Sequence, residues 1–261
     1  MKKQPDSYFI QTPFKMHFVA APVFESQQAK RACESLYGRY SLNDADTIVV
    51  MGGDGTFLST LNSLVNQQVD LSQKTVFGMK KGGHVGALIN TFSLYHLPER
   101  IADSEKVAYH PLEAKMIQSH DGATVRQYAF NDVTMRRSSP QAAHIRVCLN
   151  GTTVLNDDFI GDGIICSTSQ GSTGYYKAAG GIPFPLGGHL LGIKGICATS
   201  RDINCTVPDT NTVYFDNLEP DFRPVSVDAD NREISNITTV TVRRHPTLYA
   251  NVLRERVRER F

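Results

Sequence analysis

Gly52-Gly53-Asp54-Gly55-Thr56 sets one carboxylate among three glycines, directly after the apolar run 47–51. Glycines let the backbone bend tightly and let a ligand approach without a Cβ in the way. A helical pattern follows, with Phe57, Leu58, Leu61, Leu64 and Val65. A helix starting there turns its first N–H groups and its positive end toward the turn, which suits a phosphate. A carboxylate in a pure phosphate cradle would repel the ligand. Asp54 makes chemical sense where it takes a proton from an attacking hydroxyl, or faces a Mg2+ that bridges phosphates. The same five residues also describe a tight turn with a helix-capping Asp, and both readings stay open at this point.

A second polar group follows Asp162-Gly163 and the apolar residues 164–166. Residues 167–174 hold five hydroxyl side chains and two glycines, and lead into Tyr175-Tyr176-Lys177-Ala178-Ala179. Such a loop opens a helix, offers Ser172 and Thr173 hydroxyls to phosphate or ribose, and offers the Tyr175 ring to a base. An ordinary Ser/Thr-rich turn reads the same way. Asn131-Asp132 puts an amide beside a carboxylate at a strand end, a pair that serves ribose hydroxyls or a plain turn equally well. Other chemistries lack their residues: there is no G-x-x-x-x-G-K-[ST], no G-x-G-x-x-G after a strand, no H-E-x-x-H and no G-x-S-x-G. The eight histidines show no ligand spacing, so no protein metal site is assigned.

The elements that must hold these residues change in character along the chain. Residues 16–21 read as a strand and 26–37 as a helix with Ser26 as N-cap. The continuous apolar runs 47–51 and 75–79 read as strands covered on both faces, as in a parallel sheet. Strand and helix in alternation indicate an α/β domain over 1–99. From about residue 100 the segments are short and strand-like (113–118, 124–130, 143–149, 152–155, 211–215, 224–227, 238–242), with Asn150-Gly151 as a hairpin signal. Residues 100–245 are therefore expected to form a β-rich domain. Leu253, Val257 and Phe261 at i, i+4 and i+8 predict a helix over 246–261.

The 261 residues carry 27 Lys plus Arg against 26 Asp plus Glu, a net charge of +1. That balance argues against a nucleic-acid binder. No run approaches the ~20 apolar residues that span a bilayer, and the N-terminus lacks a signal-peptide core. Five scattered cysteines without a C-x-x-C read as reduced, in a cytoplasmic protein.

Taken in order, GGDGT, Gly83-His84-Val85-Gly86 (similar to TGHLGF), Asn131-Asp132 and STSQGSTGYYKAAGG (similar to STPTGSTAYxxSAGG) resemble the NAD kinase family over about residues 45–261. Segments 183–191 and 220–227 look like alphaproteobacterial members. GGDGT alone is shared with diacylglycerol-type lipid kinases and phosphofructokinases. The resemblance implies a Rossmann-like α/β domain followed by a β-sandwich-like one, with the C-terminal helix packing back on the first. It implies Mg-dependent transfer from ATP to the adenosine 2′-hydroxyl of NAD, the Mg2+ carried mainly by nucleotide phosphates. Asp54 would orient or deprotonate that hydroxyl, with Gly52, Gly53, Gly55, Thr56 and Phe57 shaping its turn. Asn131 and Asp132 would hold the adenosine end, Asp162 would face the nicotinamide amide, and Ser172, Thr173 and Tyr175 would line the site. A homodimer or homotetramer is implied, with nucleotides as the partners and neither nucleic acid nor membrane. The chain departs from the family pattern with Asp132 for Glu, Lys80-Lys81-Gly82 for Asn-Thr-Gly, Ser169-Gln170 for Pro-Thr, Gly174 for Ala and Ala178 for Ser. Two alternatives follow: an NAD(P)-binding module without catalysis, or a GGDGT kinase for another hydroxyl such as a lipid's.

Overall fold

In the computed structural model, which describes residues 10–82, 88–199 and 201–256, the chain divides into two compact units. The first comprises the described residues up to Tyr109 and those from Tyr249 onward; the second runs from His110 to Leu248. In chain order the first unit builds β1 (Met16–Ala20), α1 (Phe24–Tyr37), β2 (Thr47–Gly52), α2 (Asp54–Asn66), β3 (Thr75–Lys80), α3 (Leu97–Asp103) and β4 (Glu105–Tyr109). The second contains β5 (Leu112–Gln118), β6 (Thr124–Ala129), β7 (Asp132–Arg137), β8 (Ala143–Leu149), β9 (Thr153–Gly161) and β10 (Gly163–Ser167). It continues with α4 (Tyr175–Ala178), β11 (Leu190–Ile196), β12 (Asn204–Pro208), β13 (Val213–Asn217), β14 (Val225–Ala229), β15 (Glu233–Ser235) and β16 (Ile237–Arg244). β17 (Ala250–Arg254) then returns to the first unit. The fold is mixed α/β, rich in sheet and poor in helix.

The first unit's sheet has the order β1-β2-β3-β17-β4, parallel except for β4. Its division from the second unit lies at 109/110 rather than 99/100, because β4 completes this sheet. Every residue of β2 is buried, as its unbroken apolar run predicts for a strand covered on both faces. α2 buries one stripe that includes Phe57, Leu58, Leu61, Leu64 and Val65. α1 starts two residues ahead of the expected cap, so Ser26 lies inside the helix. Fully buried there, it donates its hydroxyl to the Lys81 carbonyl at 3.1 Å.

The helix expected over 246–261 is corrected by β17. Ala250, Asn251, Val252 and Leu253 are all buried, which an amphipathic helix with one covered face does not allow. A strand between β3 and β4 does. Asn251 is tolerated inside because its amide donates to the carbonyls of Leu71, Ser72 and Lys74 at 3.3, 3.2 and 3.4 Å. Val257 and Phe261 of that expected helix, and the Gly83–Gly86 motif, lie outside the described residues.

The second unit consists of two six-stranded sheets, β12-β11-β10-β7-β14-β15 and β6-β5-β16-β13-β8-β9. Alternate residues of both enter one apolar cluster, among them Met116, Val133, Met135, Val147, Ile164 and Phe215. Asn150 and Gly151, with φ of 52° and 73°, form the expected two-residue turn between β8 and β9. Among the described residues no helix is long and apolar enough to cross a membrane, and no disulfide joins the five cysteines.

Candidate active site

The residues expected to act divide between the units, and each group is built by its own unit. In the first, GGDGT spans the junction of β2 and α2, with Gly53 alone between the two elements, at the carboxyl edge of the parallel strands, where open α/β sheets bind their ligands. Gly53 is the N-cap residue and carries no side-chain cap bond; the first helical bond runs from the Phe57 N–H to the Gly53 carbonyl at 3.1 Å. The N–H groups of Gly55 and Thr56 precede it, at the positive end of α2. A Cβ on Gly52 would lie 2.6 Å from the Thr56 Oγ1, whereas one on Gly53 or Gly55 would meet nothing within 4 Å. Gly52 thus serves packing, and the other two leave open space.

Asp54 occupies the first helical position rather than the cap. It is half-buried, and its Oδ1 accepts from the Leu88 N–H at 3.2 Å. Phe57 belongs to the core: it is fully buried and packs under Gly78, where a Cβ would stand 2.9 Å from its ring. The Lys81 ammonium sits 4.3 Å from the centroid of the Phe92 ring. Two residues near Asp54 were missed in the sequence. Burial pushes the Tyr109 phenol up; the charge of Arg254 pulls it down, and the charge of Asp54 raises it again. Tyr109 ends β4 and Arg254 ends β17, so neither carried a motif that would have marked it.

In the second unit β10 runs antiparallel to β7, with Ser167 opposite Asp132 and Gly163 opposite Arg136. The Ser/Thr-rich loop therefore leaves β10 beside Asp132, while Asp162 lies at the far end of the strand. Four strand residues span ~13 Å, so a ligand touching both ends must be long and extended. Asp162 Oδ1 accepts from the Arg137 Nε at 2.6 Å.

Asn131 organises the loop. Its carbonyl accepts from the Thr168 N–H at 2.9 Å and from the hydroxyls of Thr168 and Ser167 at 3.0 and 3.3 Å. Gly171 approaches so closely that a Cβ would lie 2.2 Å from that carbonyl, and glycine alone fits. The Asn131 side-chain oxygen is buried and finds no donor among the described residues.

Most of the loop's hydroxyls are engaged within the protein. Thr168 also donates to the Phe130 carbonyl at 2.7 Å and Ser169 to Gln170 Oε1 at 3.3 Å, while Ser172 donates to the Ser169 carbonyl at 2.9 Å. All four of Ser167, Thr168, Ser169 and Ser172 are buried. They build the loop. Thr173 is exposed, and Tyr175 presents its ring at 45% exposure on the one-turn α4. Gln170, overlooked as a working residue, donates to the carbonyls of Phe130 and His110 at 2.6 and 3.1 Å. Burial, then the charges of Asp230 and Asp228, push Asp132 up to about 7, against a weak lowering by the Thr134 hydroxyl.

A carboxylate at a helix start on the carboxyl edge of a parallel sheet is an arrangement suited to nucleotide-directed phosphoryl transfer. Comparison with known proteins narrows this further. Over 244 residues the chain is 35% identical to the NAD kinase of Brucella suis biovar 1, covering 93% of this chain and 92% of that one. Yeast NADH kinase complexed with NADH shares the fold at a TM-score of 0.79 and 15% identity, over 98% of this chain and 89% of that one. The NAD kinase from Archaeoglobus fulgidus in complex with ATP gives 0.71 at 17% identity, over 92% and 94%. No protein-family model matches the chain. The chain belongs to the NAD kinase family.

Proposed function

We propose that this chain transfers the terminal phosphoryl group of ATP to the adenosine 2′-hydroxyl of NAD, giving NADP and ADP. The observation that carries this reading is Asp54: a half-buried carboxylate at the first position of α2, between two glycines that leave open space. In this role Asp54 accepts the proton of the 2′-hydroxyl as its oxygen bonds to phosphorus and the bond to the ADP oxygen breaks. The N–H groups of Gly55 and Thr56 and the α2 dipole meet the negative charge of the phosphates. Asn131 and Asp132 hold the adenosine end, Asp162 faces the nicotinamide amide, and Thr173 and Tyr175 line the dinucleotide. Ser172 contributes by shaping the loop.

Mg2+ accompanies the ATP phosphates, where it offsets their charge. Among the described residues no group of three His, Cys, Asp or Glu side chains could hold a metal ion, and no protein cage is assigned. The finer architecture fits a Rossmann-like unit with a β-sandwich-like partner. A cytoplasmic homodimer or homotetramer completes the reading, which sedimentation of the purified chain checks.

The test is NADP formation from NAD, ATP and Mg2+, followed with an NADP-specific dehydrogenase. Asp54→Asn is expected to fold and to bind NAD, yet to lose about 10²–10⁴-fold in kcat. Wild-type turnover in that variant would remove Asp54 from its role. Thermal stabilisation by NAD without any NADP formed would replace the kinase with a binding module.

A further inference from the structure

β14 and β15 are joined by the two-residue turn Asp230-Asn231, whose φ angles of 48° and 64° are both left-handed. Reciprocal backbone bonds between Ala229 and Arg232, at 3.1 and 3.2 Å, close it. This turn carries the Asp230 carboxylate to the connection between β6 and β7. One oxygen accepts from the Phe130 N–H at 2.5 Å, and the other from the N–H groups of Asn131 and Asp132 at 2.9 and 3.2 Å. The Asp230 N–H donates back to the Asp132 carbonyl at 3.3 Å, and Arg232 donates to the carbonyls of Tyr128 and Ala229. β6 ends at Ala129 in one sheet and β7 begins at Asp132 in the other, so the chain crosses between sheets where three successive amides need an acceptor, one of them on the fully buried Phe130.

We infer that Asp230 is a positioning residue for the nucleotide site, its carboxylate fixing the 130–132 backbone and so the direction of Asn131 and Asp132. This rests on the assignment of Asn131 and Asp132 to the dinucleotide. The same backbone turn delivers the Asn131 carbonyl to the loop at 167–171, so a single acceptor organises both. Its charge also reaches Asp132. The groups facing Asp132 are Asp228 and Asp230 from β14 and its turn, Thr134 from β7 and Cys166 from β10. Arg136 is engaged by Glu233 at 2.9 Å and by Asp228 at 3.8 Å, and Arg232 by backbone carbonyls.

The experiment compares NAD affinity by calorimetry, and KM and kcat, for the full chain and for Asp230→Gly, Asp230→Asn, Asn131→Ala and the Asp230→Gly/Asn131→Ala double variant. Glycine suits a left-handed turn, so Asp230→Gly removes the carboxylate and spares the hairpin. It is expected to weaken NAD at least tenfold, to raise KM for NAD more than it lowers kcat, and to leave KM for ATP within twofold. Asp230→Asn, which keeps one acceptor oxygen, recovers part of the loss. In Asp230→Gly the pH midpoint of NAD binding moves below that of the wild type. The double variant loses less affinity relative to Asn131→Ala than Asp230→Gly loses relative to the wild type, because one of the groups that Asp230 directs is already gone. Wild-type affinity in Asp230→Gly, or a lower kcat at unchanged KM, overturns the inference while a weakened Asn131→Ala leaves the site standing. Wild-type affinity in Asn131→Ala overturns the site assignment and the inference with it. Should Asp230→Gly fail to fold, amide exchange in the wild type decides: sheet-like protection of Phe130, Asn131 and Asp132 supports the pin, and loop-like rates refute it.

Discussion

Asp132 holds its proton into the neutral range because burial and two neighbouring carboxylates oppose its charge. Its folded-state proton affinity exceeds that of the unfolded chain. Between roughly pH 4 and 7 the native state therefore binds more protons, and stability falls as pH rises through that window. Asp132→Asn keeps the shape without the charge. It is expected to stabilise the protein by about 2 kcal/mol at pH 8, a gain that shrinks toward pH 4. Calorimetric melts at both pH values check this, and an equal gain at each would refute it. Functionally the sign reverses, since a carboxylate accepts from ribose hydroxyls better than a carboxylic acid does. The KM for NAD of the wild type should therefore fall between pH 6 and 8. One methylene less than a Glu keeps this carboxyl close to its own backbone, within reach of the Asp228 and Asp230 charges.

At the scale of elements, legibility followed the range of the forces involved. β2 and its glycine turn were readable because an unbroken apolar run and a following stripe are local patterns. The Asn150-Gly151 turn was readable for the same reason. β17 was not. A five-residue strand covered on both faces has no period of its own, and Arg and Glu after it supplied helix propensity instead. Hydroxyl-rich residues 167–172 announced hydrogen bonds without saying to whom; Asn131, 36 residues upstream of Ser167, decides that. The carboxylate that meets the Phe130 amide lies 100 residues away. Val252 offers the sharpest test of β17. It is fully buried, so Val252→Asp is expected to cost more than about 4 kcal/mol in urea unfolding. A helix resting on Leu253 would leave position 252 outside and tolerate the change.

For the whole molecule, the two units differ in how the chain supplies them. Residues 110–248 are continuous and carry their own apolar cluster, so this fragment alone is expected to show a strand-rich circular dichroism spectrum and a cooperative melt. Residues 10–109 should remain unfolded alone and fold when 249–256 is fused to them. A folded 10–109 fragment would contradict the central place given to β17. That place also has a consequence for how the molecule is made. The Asn90 amide donates to the Leu253 carbonyl across 163 residues of sequence. At translation rates of about 5–20 residues per second, the partner emerges from the ribosome some ten to thirty seconds after Asn90 does. Throughout that interval β3 has β2 on one side and an open edge on the other, an apolar surface for a chaperone to guard. The unit begun first is thus the last to close, and the later-synthesised one is already complete when it does.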